Sequence, residues 1–323
     1  MKAIILSQYE GPDGLKVGEV DKPQPTDTQV LVRIKAAAIN DWDWGLVRGT
    51  PFYIRLLAGL FRPRVQIPGA EMSGVVEAVG KGVTRFQPDD AVYGDISECG
   101  FGGFAQYVCV PETALIRKPE TMTFEEATAI PHAAALALQG LRDVGQLQPE
   151  GKLLINGAGG GVGTIGAQIA RSMGAEDITG VDHGDKFAVM RQAGFGAVLD
   201  YTREDFTASG QRYDLILDTK TNRPPFRYLR VLKPGGAYVT VGGNTGRLLQ
   251  IFFLGPLIRF FTGKRLSIVA LKTNQDMDFL NSLYEKGGLK LFLEGPYPLV
   301  EVPGALSRFG AGKHLGKVII RTD

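Results

Sequence analysis

The chain has 323 residues, 44% of them hydrophobic and 22% charged, with a formal net charge of +2. That length suits about two domains, and the composition suits an ordinary globular protein. No basic block or arginine-rich helix is present, which excludes nucleic acid as the expected main partner. Two cysteines, Cys99 and Cys109, exclude a disulfide framework, and neither they nor the three histidines show metal-ligand spacing. The opening MKAIILSQYE reads as lacking a signal peptide, so a cytoplasmic location is expected.

From the amino end, pattern alone predicts a β-rich region with turns over roughly 120 residues. Strands are expected at Lys2–Leu6, Leu15–Val20, Val30–Ile39, Gly74–Val79, Ala91–Tyr93 and Phe104–Val110. From Thr123 the period changes: Phe124–Ala129 and Ala133–Val144 read as helices, with Pro131 at a helix start. Strands then alternate with helices. The strands are Lys152–Ile155, Asp177–Val181, Ala197–Asp200, Asp214–Asp218, Ala237–Val241 and Ser267–Leu271. The helices are Val162–Met173, Asp185–Ala193, Pro225–Val231 and Leu248–Phe260. This alternation predicts a parallel, doubly wound sheet covered on both faces, binding its ligand at the carboxyl ends of the strands. Asp182, Asp218-Thr219 and Gly242-Gly243 fall at such ends. A last helix, Asp276–Lys286, and strands Tyr297–Val300 and Lys317–Arg321 are expected to rejoin the first domain. The domains expected are therefore 1–122 completed by 272–323, with a dinucleotide-binding domain over 123–271.

The run Leu248 to Phe261 is the one stretch apolar enough to raise a membrane span. It is 14 residues long, broken at Gly255-Pro256 and contains Arg259, whereas a span needs about 20 apolar residues. It reads instead as a buried helix, a pocket lid or a subunit contact.

The most informative segment is Leu153-Leu-Ile-Asn-Gly-Ala-Gly-Gly-Gly-Val-Gly163: strand, glycine turn, helix. Such a turn lets backbone approach a pyrophosphate, and the following helix aims its unpaired N–H groups and positive dipole end at it. The small residues align as Ala158-x-Gly160-x-x-Gly163, with Gly161 and Val162 between. Asp182 ends the next strand, 19 residues after Gly163, close to the offset of about 20 at which an acid meets the adenosine ribose.

Several longer stretches then resemble one family. Ile67 to Gly94 (IPGAEMSGVVEAVGKGVTRFQPDDAVYG) looks like the signature of a GroES-like domain, and GGFAQYVCVPE is similar to the strand that follows it. FEEATAIPHAAALALQGL, INGAGGGVG and YPLVEVPGALSRFGAGKHLGKVII complete the match. Together they resemble the medium-chain dehydrogenase/reductase superfamily, in particular its zinc-free quinone oxidoreductase (zeta-crystallin-like) branch. The resemblance implies an α/β protein whose Rossmann sheet is inserted in a β-rich GroES-like catalytic domain, with nicotinamide in a cleft between them. It also implies hydride transfer from NAD(P)H to quinones or α,β-unsaturated carbonyls. Zinc members of the superfamily use a cysteine and a Gly-His-Glu segment as metal ligands. Here Asn40 stands in place of that cysteine and the segment reads Gly69-Ala70-Glu71. Glu71 alone cannot hold Zn²⁺, so no metal is expected.

Without a metal, a hydrogen-bond donor must stabilise the charge that develops on the acceptor's oxygen. Asn40 is the first candidate; its alternative is a local amide that caps the end of the strand. Asp43 resembles an aspartate often found here in the branch; its alternative is a cap or ion pair for the following helix. Tyr53 and Tyr93 are candidate proton donors, and His132 follows Pro131 at a helix start. Trp42, Trp44, Phe52 and Tyr53 offer a wall for a flat ring or, equally, ordinary core. Leu136 stands where relatives commonly have threonine.

The cofactor is read as NADH or NADPH. Asp182 favours NADH because its carboxylate repels a 2′-phosphate. Lys186 and Tyr201 match positions that bind that phosphate in bacterial relatives, and so permit NADPH. Thr219, Gly242 and Gly243 complete the expected cofactor contacts. The expected function is a zinc-independent NAD(P)H-dependent oxidoreductase acting on a small-molecule electrophile. Metal-free carbonyl or alcohol chemistry, and dinucleotide binding with little turnover, are the alternatives. The apolar strand Ser267–Leu271 reads as a sheet edge, from which a homodimer is expected.

Overall fold

A computed structural model describes residues 1–322. The chain folds into two compact units. The first comprises Met1–His132, Thr273–Met277 and the described residues from Leu293 onward; the second comprises Ala133–Lys272 and Asp278–Phe292.

In the first unit the strands are β1 (Lys2–Ile5), β2 (Lys16–Glu19), β3 (Gln29–Ile39), β4 (Glu71–Val79), β5 (Ala91–Asp95), β6 (Tyr107–Pro111) and β7 (Ile116–Arg117). Helices α1 (Asp41–Arg48) and α2 (Phe52–Ala58) lie between β3 and β4, and α3 (Phe124–Thr128) follows β7. The second unit opens with α4 (Ala133–Leu138) and then β8 (Leu153–Asn156), α5 (Gly161–Ser172), β9 (Ile178–Asp182), α6 (Phe187–Gln192) and β10 (Ala197–Asp200). It continues with β11 (Tyr213–Asp218), α7 (Pro225–Arg230), β12 (Leu232–Thr240), α8 (Thr245–Thr262) and β13 (Arg265–Ile268). Helix α9 (Met277–Glu285), β14 (Leu293–Pro298), α10 (Val302–Gly310) and β15 (Lys317–Arg321) end the described chain.

The sheet of the second unit is wholly parallel, in the order β10-β9-β8-β11-β12-β13. In chain order within the unit that is 3-2-1-4-5-6, the doubly wound Rossmann order, with its switch point between β8 and β11. Residues 153–156 of β8 and 178–182 of β9 are buried throughout, as strands covered on both faces must be. Its core joins Leu154, Val181, Ile216, Tyr228 and Tyr238.

The long strand β3 organises the first unit. Its residues are largely β-branched or small, and it pairs antiparallel with β4, β6 and β15. Val30, Val32, Val76, Val92 and Val110 pack on one side, and Ile4, Ile39, Leu46, Phe104 and Ile320 in another cluster. The register fixes the functional geometry. Ala38 lies opposite Glu71 and Ile39 opposite Val318, so the chain leaving β3 at Asn40 sits beside Glu71 and Lys317.

Some expectations shift. The edge strand expected at Ser267–Leu271 runs over Arg265–Ile268, because pairing with Ala237–Thr240, not apolarity, sets its limits. The helix around Leu248–Phe260 is longer and is not a buried helix: of its 18 residues only Ile251, Gly255 and Ile258 are buried. The helix expected after Asn40 is α1, while α2 and the short β7 are not among the expected elements.

Candidate functional site

The glycine turn forms as its spacing requires. Gly157 takes φ 86°, and a Cβ there would meet Thr219 Oγ1. A Cβ on Gly163 would lie 2.5 Å from the Ala158 Cα, so helix α5 packs this closely on the turn only with glycine. Helix α5 begins at Gly161 with Gly160 as its N-cap, and no side chain caps it. The N–H groups of Gly161, Val162 and Gly163 therefore have no partner within the helix and carry its positive dipole end. That is the donor set a pyrophosphate needs, so the residues present fit a dinucleotide.

Asp182 ends β9 and is buried, but its carboxylate is already engaged. Oδ2 accepts from the Gly159 N–H at 2.9 Å and Oδ1 from the His183 N–H at 2.8 Å. Lys186 Nζ lies 3.4 Å from Oδ1, and the lysine is buried as well. Lys186 also lies under the turn, where a Cβ on Gly159 would meet its Cδ at 2.5 Å. The two residues expected from the sequence to pull cofactor preference in opposite directions are thus an ion pair with each other. Tyr201 is half exposed and meets the His183 ring edge-on at 6.2 Å. Thr219 donates from Oγ1 to the Asn156 carbonyl at 3.1 Å. The Gly242 carbonyl accepts from the Thr221 hydroxyl at 2.6 Å and the Thr240 hydroxyl at 2.8 Å. A Cβ on Gly243, at φ 122°, would meet the Lys220 carbonyl.

Behind these strand ends lies Asp218, buried and, among the described residues, without a cation. It accepts from Asn156 Nδ2, the Lys220 and Thr221 N–H groups, and the Tyr238 hydroxyl, all at 2.8–3.0 Å. Burial, followed by the Asp218 charge, holds the Tyr228 and Tyr238 phenols well above their usual range, so both stay protonated.

In the first unit a buried polar cluster forms around Asn40 and Glu71, the positions that the sequence resemblance sets against metal ligands of the zinc members. Asn40 is the N-cap of α1. Its Oδ1 accepts from the Trp42 N–H at 2.9 Å and the Asp43 N–H at 3.4 Å, while Nδ2 donates to Glu71 Oε2 at 3.3 Å. Asp43 closes the capping box by accepting the Asn40 N–H at 3.1 Å, and accepts the Gly69 N–H at 2.9 Å with its other oxygen. Burial pushes the Asp43 carboxyl up to about 7 despite those two hydrogen bonds. Glu71 accepts the His132 N–H at 2.8 Å and forms a fully buried ion pair with Lys317. The His132 ring bonds Asp95 through Nδ1 at 2.8 Å. Burial alone would lower the His132 pKa, but Asp95 outweighs it and raises it; burial alone would raise Asp95, but His132 and Ser97 hold it down.

These residues do not fit zinc. Ala70 has no donor atom, the Asn40 oxygen is spent on the helix cap, and Glu71 is committed to Lys317. Among the described residues no group of three or more His, Cys, Asp or Glu could hold a metal ion. The structure thus brings Asn40 and Asp43 together, and each serves the α1 cap. Tyr53 stands apart on α2, 42% exposed, and Phe52 is 63% exposed. Trp44 packs against Gly310, where a Cβ would lie 2.3 Å from its ring, and under the Arg48 guanidinium. Lys317 and Asp95 escaped sequence reasoning; Lys317 lies 246 residues from Glu71, beyond any local signal.

Comparison with known proteins agrees with this architecture. Residues 26–120 match the family model for the alcohol dehydrogenase GroES-like domain, and residues 193–320 that described as zinc-binding dehydrogenase. The chain is 30% identical to 2-methylene-furan-3-one reductase of Solanum lycopersicum, over 99% of this chain and 79% of that protein. It is 29% identical, with the same coverage, to the chloroplastic NADPH-dependent alkenal/one oxidoreductase of Arabidopsis thaliana. Among solved structures, the quinone oxidoreductase of Coxiella burnetii superposes with a TM-score of 0.87 at 24% identity, covering 100% of this chain and 99% of that one. The chain belongs to the medium-chain dehydrogenase/reductase superfamily, in its NAD(P)H-binding quinone oxidoreductase branch.

Proposed function

We propose that the protein reduces quinones or α,β-unsaturated carbonyls with NAD(P)H and without zinc. In this reading the second unit is its dinucleotide-binding domain and the first its catalytic domain. The observation that carries it is the uncapped start of α5 on the glycine turn, at the switch point of a 3-2-1-4-5-6 sheet. The acceptor class is supported by the relatives named 2-methylene-furan-3-one reductase and NADPH-dependent alkenal/one oxidoreductase. The nicotinamide, when bound, supplies the hydride.

The chain's own residues have these roles. Gly161, Val162 and Gly163 hold the pyrophosphate through backbone N–H groups, with Ala158 and Gly160 keeping the turn small. Asp182, Lys186 and Tyr201 face the adenosine end, and Thr219, Gly242 and Gly243 line the strand ends beside it. Asp182 favours NADH, and its pairing with Lys186 softens the exclusion of NADPH. In the first unit, one N–H of the Asn40 amide goes to Glu71, leaving the other for a developing oxyanion. Asp43 positions Asn40 and Gly69. Tyr53, on α2 and 42% exposed, is the proton donor of this reading; burial and then the Asp41 charge raise its pKa, which makes it a weaker acid than a free phenol.

The test uses purified protein with NADH or NADPH against a quinone, an enone and a simple ketone. Oxidation of the cofactor by the quinone or the enone is expected. Cofactor binding without oxidation by any acceptor, or turnover of the ketone alone, would overturn this reading. We further propose a homodimer paired along β13, which ends the sheet and is hydrogen-bonded to a strand on one side only. Sedimentation as a monomer at micromolar concentration would count against it.

A further inference from the structure

Helix α8 turns an almost wholly apolar face outward. Phe252 and Phe253 are each 67% exposed, Phe260 82%, Phe261 77%, and Leu249 and Leu257 more than half. At 100° per residue from the buried line of Ile251, Gly255 and Ile258, these side chains fall in the opposite arc together with Thr245 and Gln250, and Arg259 stands at its border. The four phenylalanines together expose on the order of 500 Å². A patch of that size calls for an occupant.

Charge decides between occupants. From Asp218 to Asp276 the sequence holds ten lysines and arginines and no acidic residue in between, in a chain whose overall charge is only +2. Four of the ten, Arg247, Arg259, Lys264 and Arg265, flank or interrupt the apolar face. Arg247 bonds Gln250, Lys264 a backbone carbonyl and Arg265 backbone carbonyls and Gln146; none of the four forms an ion pair among the described residues. A second copy would bring this same acid-free face to a two-fold contact, setting arginine against arginine. An anionic surface complements it.

We propose that α8 docks the protein on anionic lipid bilayers, lying in the interface with its phenylalanines among the acyl chains and its cations at the headgroups. No helix among the described residues is long and apolar enough to cross a membrane, so the contact is peripheral. Aromatic residues suit the headgroup boundary, and clustered arginine and lysine draw such a helix to anionic lipid. Phe252, Pro256, Arg259 and Phe260 line one groove with Arg265–Ile268 of β13, so the lipid-facing arc borders the edge proposed for pairing, and the oligomeric state is read alongside vesicle binding.

The test is co-sedimentation of the full chain with vesicles of phosphatidylcholine alone or mixed with phosphatidylglycerol. Binding to the anionic vesicles is expected, weakened about tenfold by neutral vesicles or by salt near 0.5 M. Phe253→Ser with Phe260→Ser should reduce it by about tenfold while cofactor affinity in bulk solution is unchanged. Arg259→Glu, which keeps every phenylalanine of the apolar face, should reduce it too and keeps the test valid if the serine variant misfolds. Absent or lipid-independent binding would overturn the proposal. So would a phenylalanine variant that turns a dimer into a monomer with vesicle binding intact, which would assign the face to a second copy.

Discussion

Asp182 and Glu71 make an instructive pair. Both are buried carboxylates at a strand end, both accept backbone N–H groups, and both meet a lysine. Asp182 finds Lys186 four residues away, in the turn after its own strand. Glu71 finds Lys317 across the sheet, 246 residues away, through the register of β4, β3 and β15. The first pair belongs to a site built from one contiguous strand-turn-helix unit, whose chemistry is mostly backbone. The second belongs to a site built from side chains that only the antiparallel sheet assembles. The proposed cofactor site leaves its donors uncapped at the start of α5, while the other cluster spends nearly every donor and acceptor on itself. Groups that satisfy each other hold position well and have little left to bind a ligand, which is why one amide N–H of Asn40 carries the proposed chemistry there.

The contrast predicts that the distant pair matters most to stability. Lys317→Met leaves Glu71 buried and uncompensated, and should cost about 3–5 kcal/mol in urea unfolding. The double variant with Glu71→Gln should recover part of that, and a small, additive loss would mean the pair is not coupled. Gly163→Ala should instead strike binding. With its Cβ pressed on the Ala158 backbone, dinucleotide affinity should fall by at least about tenfold, or about 1.4 kcal/mol, in a fluorescence titration. Asp182→Ser should shift the ratio of specificity constants toward NADPH by about tenfold, since it removes a charge and frees Lys186. An unmoved ratio would remove Asp182 from cofactor choice.

Asn40 separates cap from catalysis. Asn40→Ala loses both and should cost about 1 kcal/mol of stability along with turnover. Asn40→Ser keeps a capping oxygen but shortens the donor, so stability should hold while kcat falls more than cofactor affinity does. Equal kcat in the serine variant and the parent would confine Asn40 to the cap.

The pH dependence is the subtlest expectation. The folded-state pKa of Asp43 is raised from 3.8 to about 7, so the folded protein holds that proton more tightly than the unfolded chain. Asp43 therefore makes stability fall as pH rises from about 4 through about 7. Asp95 is depressed: its contribution is present above the unfolded value near 3.8 and is lost as pH falls through the folded one. His132 is raised: its contribution is full below the unfolded value near 6.5 and is lost as pH rises through the folded one. Denaturant unfolding over this range should lose its neutral-side slope in His132→Gln more than its acid-side slope; the reverse would assign the slope elsewhere.

The sequence alone determined the parallel sheet, its glycine turn, the placement of Asp182, and the family with its missing metal ligands. All of these rest on neighbours in the chain: strand and helix periods, a turn that only glycine fits, an acid at a set offset, a cysteine and a histidine replaced by Asn40 and Ala70. Tertiary structure decided where the side chains spend their hydrogen bonds. It joined Asp182 to Lys186, gave the Asn40 oxygen to a helix cap, and set Lys317 against Glu71. It also turned the phenylalanines of α8 outward, a helix whose composition reads as buried. Composition and period report how apolar a segment is and which way it repeats. Which face meets the core, and which charges meet each other, depends on strands and helices that the chain supplies from elsewhere.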